Sequence, residues 1–163
     1  MDYIGKHNGF ETYYLDLTLE DYNDVLPENN WFEFVIANKD FDDSGSSLID
    51  KFIRKSIDRD LLAFKGQGIF GGKLHLTIDL IIVKMEVDEK HTEIDLATTG
   101  DNKTDLANGF WECYGAPCLP DRTDYNTLKL VCTSFDGINY KDDLNLLLKR
   151  FNEGWLPPDN IET

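Results

Sequence analysis

Apolar residues repeat with two different periods along this chain, and the change of period predicts both strands and helices. The clearest strand covers 31–37, where a short aromatic and β-branched run is bounded by loop residues on both sides. Apolar residues at every second position predict another strand over 74–83. A third strand is predicted at 128–133, between two turn-rich connections.

Three other stretches repeat their apolar residues every three or four positions, which is the spacing of one helix face. They predict helices over 48–59, 105–114 and 141–152. Ser47 stands directly before the first helix and is expected to cap its N-terminus. Gly115-Ala116-Pro117 is expected to stop the second helix.

The opening stretch from Phe10 to Leu19 fits a half-buried strand, although Thr18 also suits the start of a short helix. Since strands alternate with helices over the rest of the chain, the predicted fold class is α/β. We expect a single-domain sandwich over residues 1–163, with a mixed β-sheet and about three packed α-helices. A length of 163 residues with 41% hydrophobic residues is sufficient for one packed core.

Acidity is the most unusual feature of the composition, because 31 Asp and Glu face 16 Lys and Arg, for a net charge of −15. Ten Phe, seven Tyr and three Trp indicate that this charge belongs to a folded body rather than a disordered tail. Such a surface repels nucleic acid and anionic membranes, and it favours a basic protein partner. The plainer interpretation is that the charge only keeps the protein soluble.

The chain is expected to be cytoplasmic. Residues 1–7 lack the basic and apolar regions of a secretion signal, and the longest apolar stretch, 80–83, is too short to span a membrane. The three cysteines, Cys113, Cys118 and Cys132, do not suggest a disulfide framework or a zinc site. We therefore predict no cofactor and no metal.

A glycine string, Gly66-x-Gly68-x-x-Gly71, matches the fingerprint of dinucleotide-binding proteins. That fingerprint binds a pyrophosphate only when a helix follows directly, since the phosphate lies at the helix N-terminus. The predicted strand over 74–83 leaves no place for such a helix. The sequence therefore argues against nucleotide binding at this string.

Asp40-Phe41-Asp42-Asp43-Ser44 follows a buried strand and resembles the first motif of haloacid-dehalogenase-type phosphatases. The resemblance implies a magnesium-dependent phosphatase, with Asp40 as nucleophile and Asp42 as general acid. Residues 38–39 separate Asp40 from the strand, however, so the nucleophile would not lie at the strand end. The same stretch begins like a calcium loop, but Lys51 occupies the twelfth position, where a carboxylate is required. Weak binding of a divalent ion to these carboxylates stays open.

Two further segments, FWECYGAPCLP at 110–120 and FNEGWLP at 151–157, resemble stretches of small acidic bacterial proteins. Proteins of that kind are often immunity proteins of toxin–immunity systems. The resemblance implies a protein that binds and neutralises a toxin, and it assigns no catalytic residue. The aromatic residues of both segments are equally suited to fill a core.

We therefore predict a non-enzymatic immunity protein that binds the basic domain of a cognate bacterial toxin. Contacts are expected from acidic loops and from aromatic residues beside them, namely Asp40, Phe41, Asp42, Asp43, Asp121, Asp124 and Tyr125. The alternatives are the phosphatase, an acidic nucleic-acid mimic that inhibits a nuclease or repressor, and an adaptor without a toxin.

Overall fold

The computed structural model describes residues 1–115 and 118–158. Its strands and helices, in chain order, are β1 Asp2–His7, β2 Phe10–Asp16, β3 Trp31–Ile36, α1 Leu48–Asp58, β4 Leu61–Gln67, α2 Gly71–Val87, β5 Ala97–Gly100, α3 Leu106–Gly115, β6 Lys129–Ser134 and α4 Lys141–Asn152.

The strands form one six-stranded sheet in the order β1-β2-β6-β3-β4-β5. The five strands from β2 to β5 in this order run parallel, and only β1 runs antiparallel, against β2. β6 returns to the middle of the sheet, where Cys132 lies opposite Phe34 of β3. The carboxyl ends of all five parallel strands therefore meet at one edge of the sheet.

β3 is the central strand, and all six of its residues are buried. Parallel strands need cover on both faces, so their sequences are apolar without a break. On one face, Phe32 and Phe34 pack with α3 and α4. On the other face, Trp31 and Val35 pack with α1 and α2. The molecule thus has two apolar cores, one on each side of the sheet.

The α/β class and the mixed sheet are confirmed, with four helices where about three were expected. The helices predicted at 48–59, 105–114 and 141–152 are α1, α3 and α4. Ser47 caps α1, since its side chain accepts a hydrogen bond from the backbone N–H of Asp50. The predicted stop of α3 reaches Gly115, and its next two residues lie outside the described residues.

The strand predicted over 74–83 is wrong, because this segment lies within helix α2. Its alternating pattern arises from two apolar rows on opposite sides of one helix. The buried row is Leu74, Ile78, Ile81 and Met85, and the exposed row is Leu76, Leu80, Val83 and Val87. Each row has helical spacing, but overlaid in sequence they imitate the period of a strand.

Three strands were not predicted as such. β1 and β5 lie in segments that have no clear alternation of apolar and polar residues. β4 ends and α2 begins at the glycine string. Pairing between distant segments decides this part of the fold. β4 and β5 are parallel neighbours, so the chain passes from one to the other through a crossover connection, which is α2.

Glu33 is the charged residue at the centre of β3, and it is fully buried on the side facing α1. The Ser56 hydroxyl lies 3.4 Å from its Oε2, and Oε1 has no hydrogen-bond partner among the described residues. Burial raises the pKa of Glu33 well above its usual range, because the charged carboxylate would be desolvated. The protonated form is therefore the one that suits the folded protein.

We predict that Glu33 makes the protein less stable as pH rises. The pKa of Glu33 is higher in the folded than in the unfolded chain, so its stabilising contribution is complete below about pH 4 and is lost as pH rises through the raised value. Within that window the loss approaches ~1.4 kcal/mol per pH unit. Glu33→Gln should flatten the dependence in urea unfolding series, whereas Glu28→Gln, at an exposed position, should retain it.

Candidate functional site

The predicted contact residues fall into two groups at opposite edges of the sheet. Asp40, Phe41, Asp42 and Asp43 follow β3, at the carboxyl edge. The other group, Asp121, Asp124 and Tyr125, precedes β6 and lies at the amino edge. A six-residue strand between the two edges corresponds to roughly 17 Å. The structure therefore does not bring all seven residues into one cluster.

The carboxyl-edge group, Asp40–Asp43, is held against the first turn of α2 and is called the acidic loop below. Lys73 Nζ donates to Asp40 Oδ1 and to the carbonyl oxygen of Phe41, both at 2.6 Å. The hydrogen bond from Lys73 lowers the pKa of Asp40, and bonds from Ser44 lower that of Asp42. All three aspartates of the loop are exposed and available to a partner.

Of the two aromatic residues that were expected to contact a partner, Phe41 differs from the expectation. Phe41 is half-buried, because its ring packs edge-on against Phe135 at 5.2 Å and Lys73 Nζ lies 4.5 Å from its centroid. It supports the acidic loop from beneath rather than projecting from it. Tyr125 is 56% exposed, as expected, but it lies at the amino edge.

At the amino edge, Asp121 is exposed and Asp124 organises the turn before β6. Asp124 Oδ1 accepts from the backbone N–H of Asn126 at 3.0 Å, and Oδ2 accepts from the Thr127 hydroxyl at 3.1 Å. Its backbone N–H and carbonyl group both bond to the side chain of Asn30. These hydrogen bonds give Asp124 a structural role in the turn before β6.

The phosphatase motif lacks the geometry that its chemistry needs. β3 ends at Ile36, so Asp40 lies four residues beyond the strand end, and its carboxylate is paired with Lys73. Asn38 stands near the strand end instead, and an amide is not a nucleophile of this kind. Across 1–115 and 118–158, no three or more His, Cys, Asp or Glu side chains are grouped to hold a metal ion.

The glycine string does lie between a strand and a helix, contrary to the expectation. Its backbone donors nevertheless bond to the protein itself, at positions where a dinucleotide site would offer them to phosphate. The bonds are Gly68 N to Lys103 O, Ile69 N to Asn38 Oδ1, Phe70 N to Ala37 O, Gly71 N to Gly68 O and Gly72 N to Asn102 Oδ1.

The glycines themselves allow close packing. A Cβ on Gly71 would overlap the carbonyl oxygen of Asp101, and one on Gly68 would overlap that of Ala37. We therefore interpret the string as a tight strand-to-helix connection.

The exposed row of α2 is the feature that the sequence interpretation missed. Leu76, Leu80, Val83 and Val87 are 60%, 60%, 56% and 69% exposed, although all four are aliphatic. Their spacing of four, three and four residues places them along one side of the helix. Ile69, 55% exposed, lies just before the helix begins. We call these five residues the apolar row.

The apolar row lies beside the acidic loop. Lys73, which bonds to Asp40, is one turn before Leu76 on the same side of α2. Asp79 and Glu86 border the row on one flank, and Lys84 borders it on the other. An apolar strip with a charged border is the arrangement found where proteins dock, since isolated soluble surfaces seldom expose such strips.

The chain matches no known protein-family model, no curated protein and no solved structure. The site therefore rests on the geometry of this chain alone. None of the helices in the described residues is long and apolar enough to cross a membrane.

A groove of about 610 Å³ lies beside α3, over β4 and β5. Its walls are mainly apolar. Of its three charged residues, Lys65 and Glu112 form an ion pair with each other, and Asp101 accepts a hydrogen bond from the backbone N–H of Lys103 at 2.9 Å. Burial raises the pKa of the Cys113 thiol in its wall to about 12, so this thiol is not a thiolate nucleophile near neutral pH. The second thiol of the groove, Cys118, is free and exposed.

We predict that Gly71→Ala destabilises the protein. At an ordinary helix position alanine would add ~1 kcal/mol of stability, but here its Cβ would collide with the Asp101 carbonyl group and cost ~1–3 kcal/mol. Gly115→Ala, where a Cβ meets nothing within 4 Å, is the control and should not destabilise. Thermal unfolding measures the stability of both variants.

We also predict that NAD and ATP leave the melting temperature of the wild-type protein unchanged, because the backbone donors of the glycine string already bond to the protein. A rise in the melting temperature would restore the nucleotide-binding hypothesis.

Proposed function

We propose that this protein is a non-enzymatic binding protein that neutralises a basic protein, as an immunity protein neutralises its cognate bacterial toxin. The observation that carries the proposal is the apolar row of α2 lying beside the acidic loop. The row would provide the desolvated centre of the interface, and the loop would provide part of its charged border.

Burial of the apolar row is the main source of affinity in this proposal. Completely burying an aliphatic side chain is worth ~1.5–3 kcal/mol, and each residue of the row still has more than half of that surface in water. Covering the five residues together therefore favours association by several times the thermal energy. The same burial would remove the exposure that makes α2 unusual.

Charge selects the kind of partner. A net charge of −15 accelerates encounter with a basic domain and repels a second copy of this chain. A toxin that acts on nucleic acid or nucleotides carries basic groups to hold phosphate, and an acidic protein is complementary to them. We therefore favour a basic toxin domain over a homodimer as the occupant of the apolar row.

The contact surface proposed from the sequence is narrowed accordingly. Asp40, Asp42 and Asp43 belong to the proposed interface, with Phe41 supporting them from beneath. The group at the amino edge, Asp121, Asp124 and Tyr125, lies at the opposite edge of the sheet from the acidic loop and is assigned no contact. Its exposed acid, Asp121, becomes a matched control for the loop acids.

We predict that Leu80→Asp abolishes protection. The chain would be co-expressed with the product of a neighbouring toxic gene, and both rescue of growth and the dissociation constant would be measured. A charge in the centre of the apolar row should weaken binding by about 2 kcal/mol, or roughly thirtyfold. Since Leu80 is exposed, the variant should fold normally, which circular dichroism would check.

Leu146→Asp is the matched control for that experiment. Leu146 is 51% exposed on α4, which packs on the other face of the sheet. Rescue by Leu146→Asp together with loss of rescue by Leu80→Asp supports the proposed interface. Equal rescue by both variants contradicts it. A wild-type dimer that Leu80→Asp converts to a monomer, in analytical ultracentrifugation, would instead assign the row to a second copy.

Charge reversal in the acidic loop should act mainly on the rate of association. We expect Asp43→Lys to slow association by about threefold to tenfold at low salt, with little change in dissociation, because border charges steer the encounter. Asp121→Lys makes the same change in net charge at the opposite edge. Equal slowing by both variants would mean that net charge alone steers the partner, and that the loop is not a local contact.

A further inference from the structure

The exposed row of α2 has the repeat of a coiled-coil seam. Its residues follow one another at spacings of four, three and four positions, as Leu76, Leu80, Val83 and Val87. In a heptad repeat they occupy positions d, a, d and a, which are the positions that form the seam between two coiled helices. The row extends over roughly 16 Å of the helix axis, or about three turns.

The width of the row shows which kind of element fits it. At 3.6 residues per turn, its four side chains fall within about 60° of the helix circumference. The opposite side of the same helix, where Gly71 and Thr77 are buried together with the apolar residues, covers about 120°. A stripe of ~100° or more is usual where a helix faces a core, whereas a narrow stripe confined to a and d is the seam of a helix pair. One side of α2 thus packs on the sheet, and the other side suits a single helix.

Charged residues flank the seam on both sides. Asp79 and Glu86 occupy the g positions, and Lys84 occupies an e position. Charges at e and g determine which helix pairs with a seam and in which orientation. The Thr98 hydroxyl donates to Asp79 at 2.6 Å and fixes its carboxylate, which nevertheless stays 47% exposed. Lys84 is exposed and forms no ion pair within the described part of the chain. The seam therefore has an acidic edge and a basic edge that a partner can contact.

A second copy of this chain is a poor match for these edges. An antiparallel pair of α2 helices would place g against g, so that acids would face acids. A parallel pair would place Asp79 against Lys84, but it would also bring the two acidic loops together, since Lys73 holds each loop at the N-terminal end of its helix. Both pairings therefore bring like charges together between chains that each carry a net charge of −15.

From these observations we infer that the partner contacts α2 through an amphipathic helix of its own. That helix packs along the exposed row at the shallow angle of a coiled-coil pair, ~20°. Its apolar residues alternate spacings of three and four, its basic side chains face Asp79 and Glu86, and an acidic side chain faces Lys84. The inference rests on the proposed function, because it takes the toxin domain as the occupant and names the element with which that domain binds.

The test is site-specific photo-crosslinking in the full chain, co-expressed with the product of the neighbouring toxic gene. The photoreactive residue benzoylphenylalanine replaces each residue of the exposed row in turn, and mass spectrometry locates its attachment site on that product. We expect the four sites to lie in one segment, three or four residues apart, and to advance in one direction from Leu76 to Val87. The same replacement at Leu146, on the other face of the sheet, should give no attachment.

Lys84→Glu tests the charge of the edges. Repulsion from the facing acid should raise the dissociation constant about tenfold, equivalent to ~1.4 kcal/mol. Lys149→Glu, at an exposed position of α4, makes the same change in net charge and should not weaken binding, because a more acidic chain attracts a basic domain. Equal dissociation constants for the two variants would overturn the inference.

The outcomes separate this inference from the proposed function. Rescue of growth with attachment sites scattered over several segments, or two residues apart as on a strand, supports the function and overturns the partner helix. Loss of both rescue and attachment at all four positions overturns both. Attachment to a second copy of this chain would make the exposed row a dimer seam and would also overturn the inference.

Discussion

The structure depends on the burial of parallel strands from both sides. Parallel β-strands are stable when helices cover each face, since neither face can then be left to water. The order β2-β6-β3-β4-β5 places the most apolar strand, β3, in the middle and distributes two helices to each face. Everything that bears on function follows from how those helices and their loops are placed.

α2 covers the sheet with its buried row only. Leu74 and Ile78, in the buried row, are 0% exposed and cover β4 and β5. The exposed row faces away from the sheet and remains in water. A contiguous exposed apolar strip is unusual on an isolated soluble protein and marks a surface where proteins dock. The inference that a partner covers α2 therefore rests on the same physics that explains why the helix packs at all.

The carboxyl edge of the sheet is held together by polar contacts rather than by apolar packing. Asn38 donates to the Tyr140 hydroxyl at 2.9 Å, and its backbone N–H bonds to Asp136 at 3.1 Å. The tight connection at the glycine string closes the same edge from the other side. These contacts use donors that a nucleotide would need, and yet they leave the buried oxygen of Gln67 unsatisfied. The backbone donors of this edge are thus occupied within the protein.

The sequence by itself determined the α/β class, three of the four helices, the central strand and the acidic character, because these follow from local periodicity and composition. It did not determine the nature of residues 74–83, since two overlaid helical rows imitate a strand. Only the tertiary structure decided that Asp40 and Asp121 lie at opposite edges, and that the apolar row and the acidic loop are neighbours. The physical reason is that strand order and the side on which each crossover packs depend on contacts between distant segments, which no local pattern records.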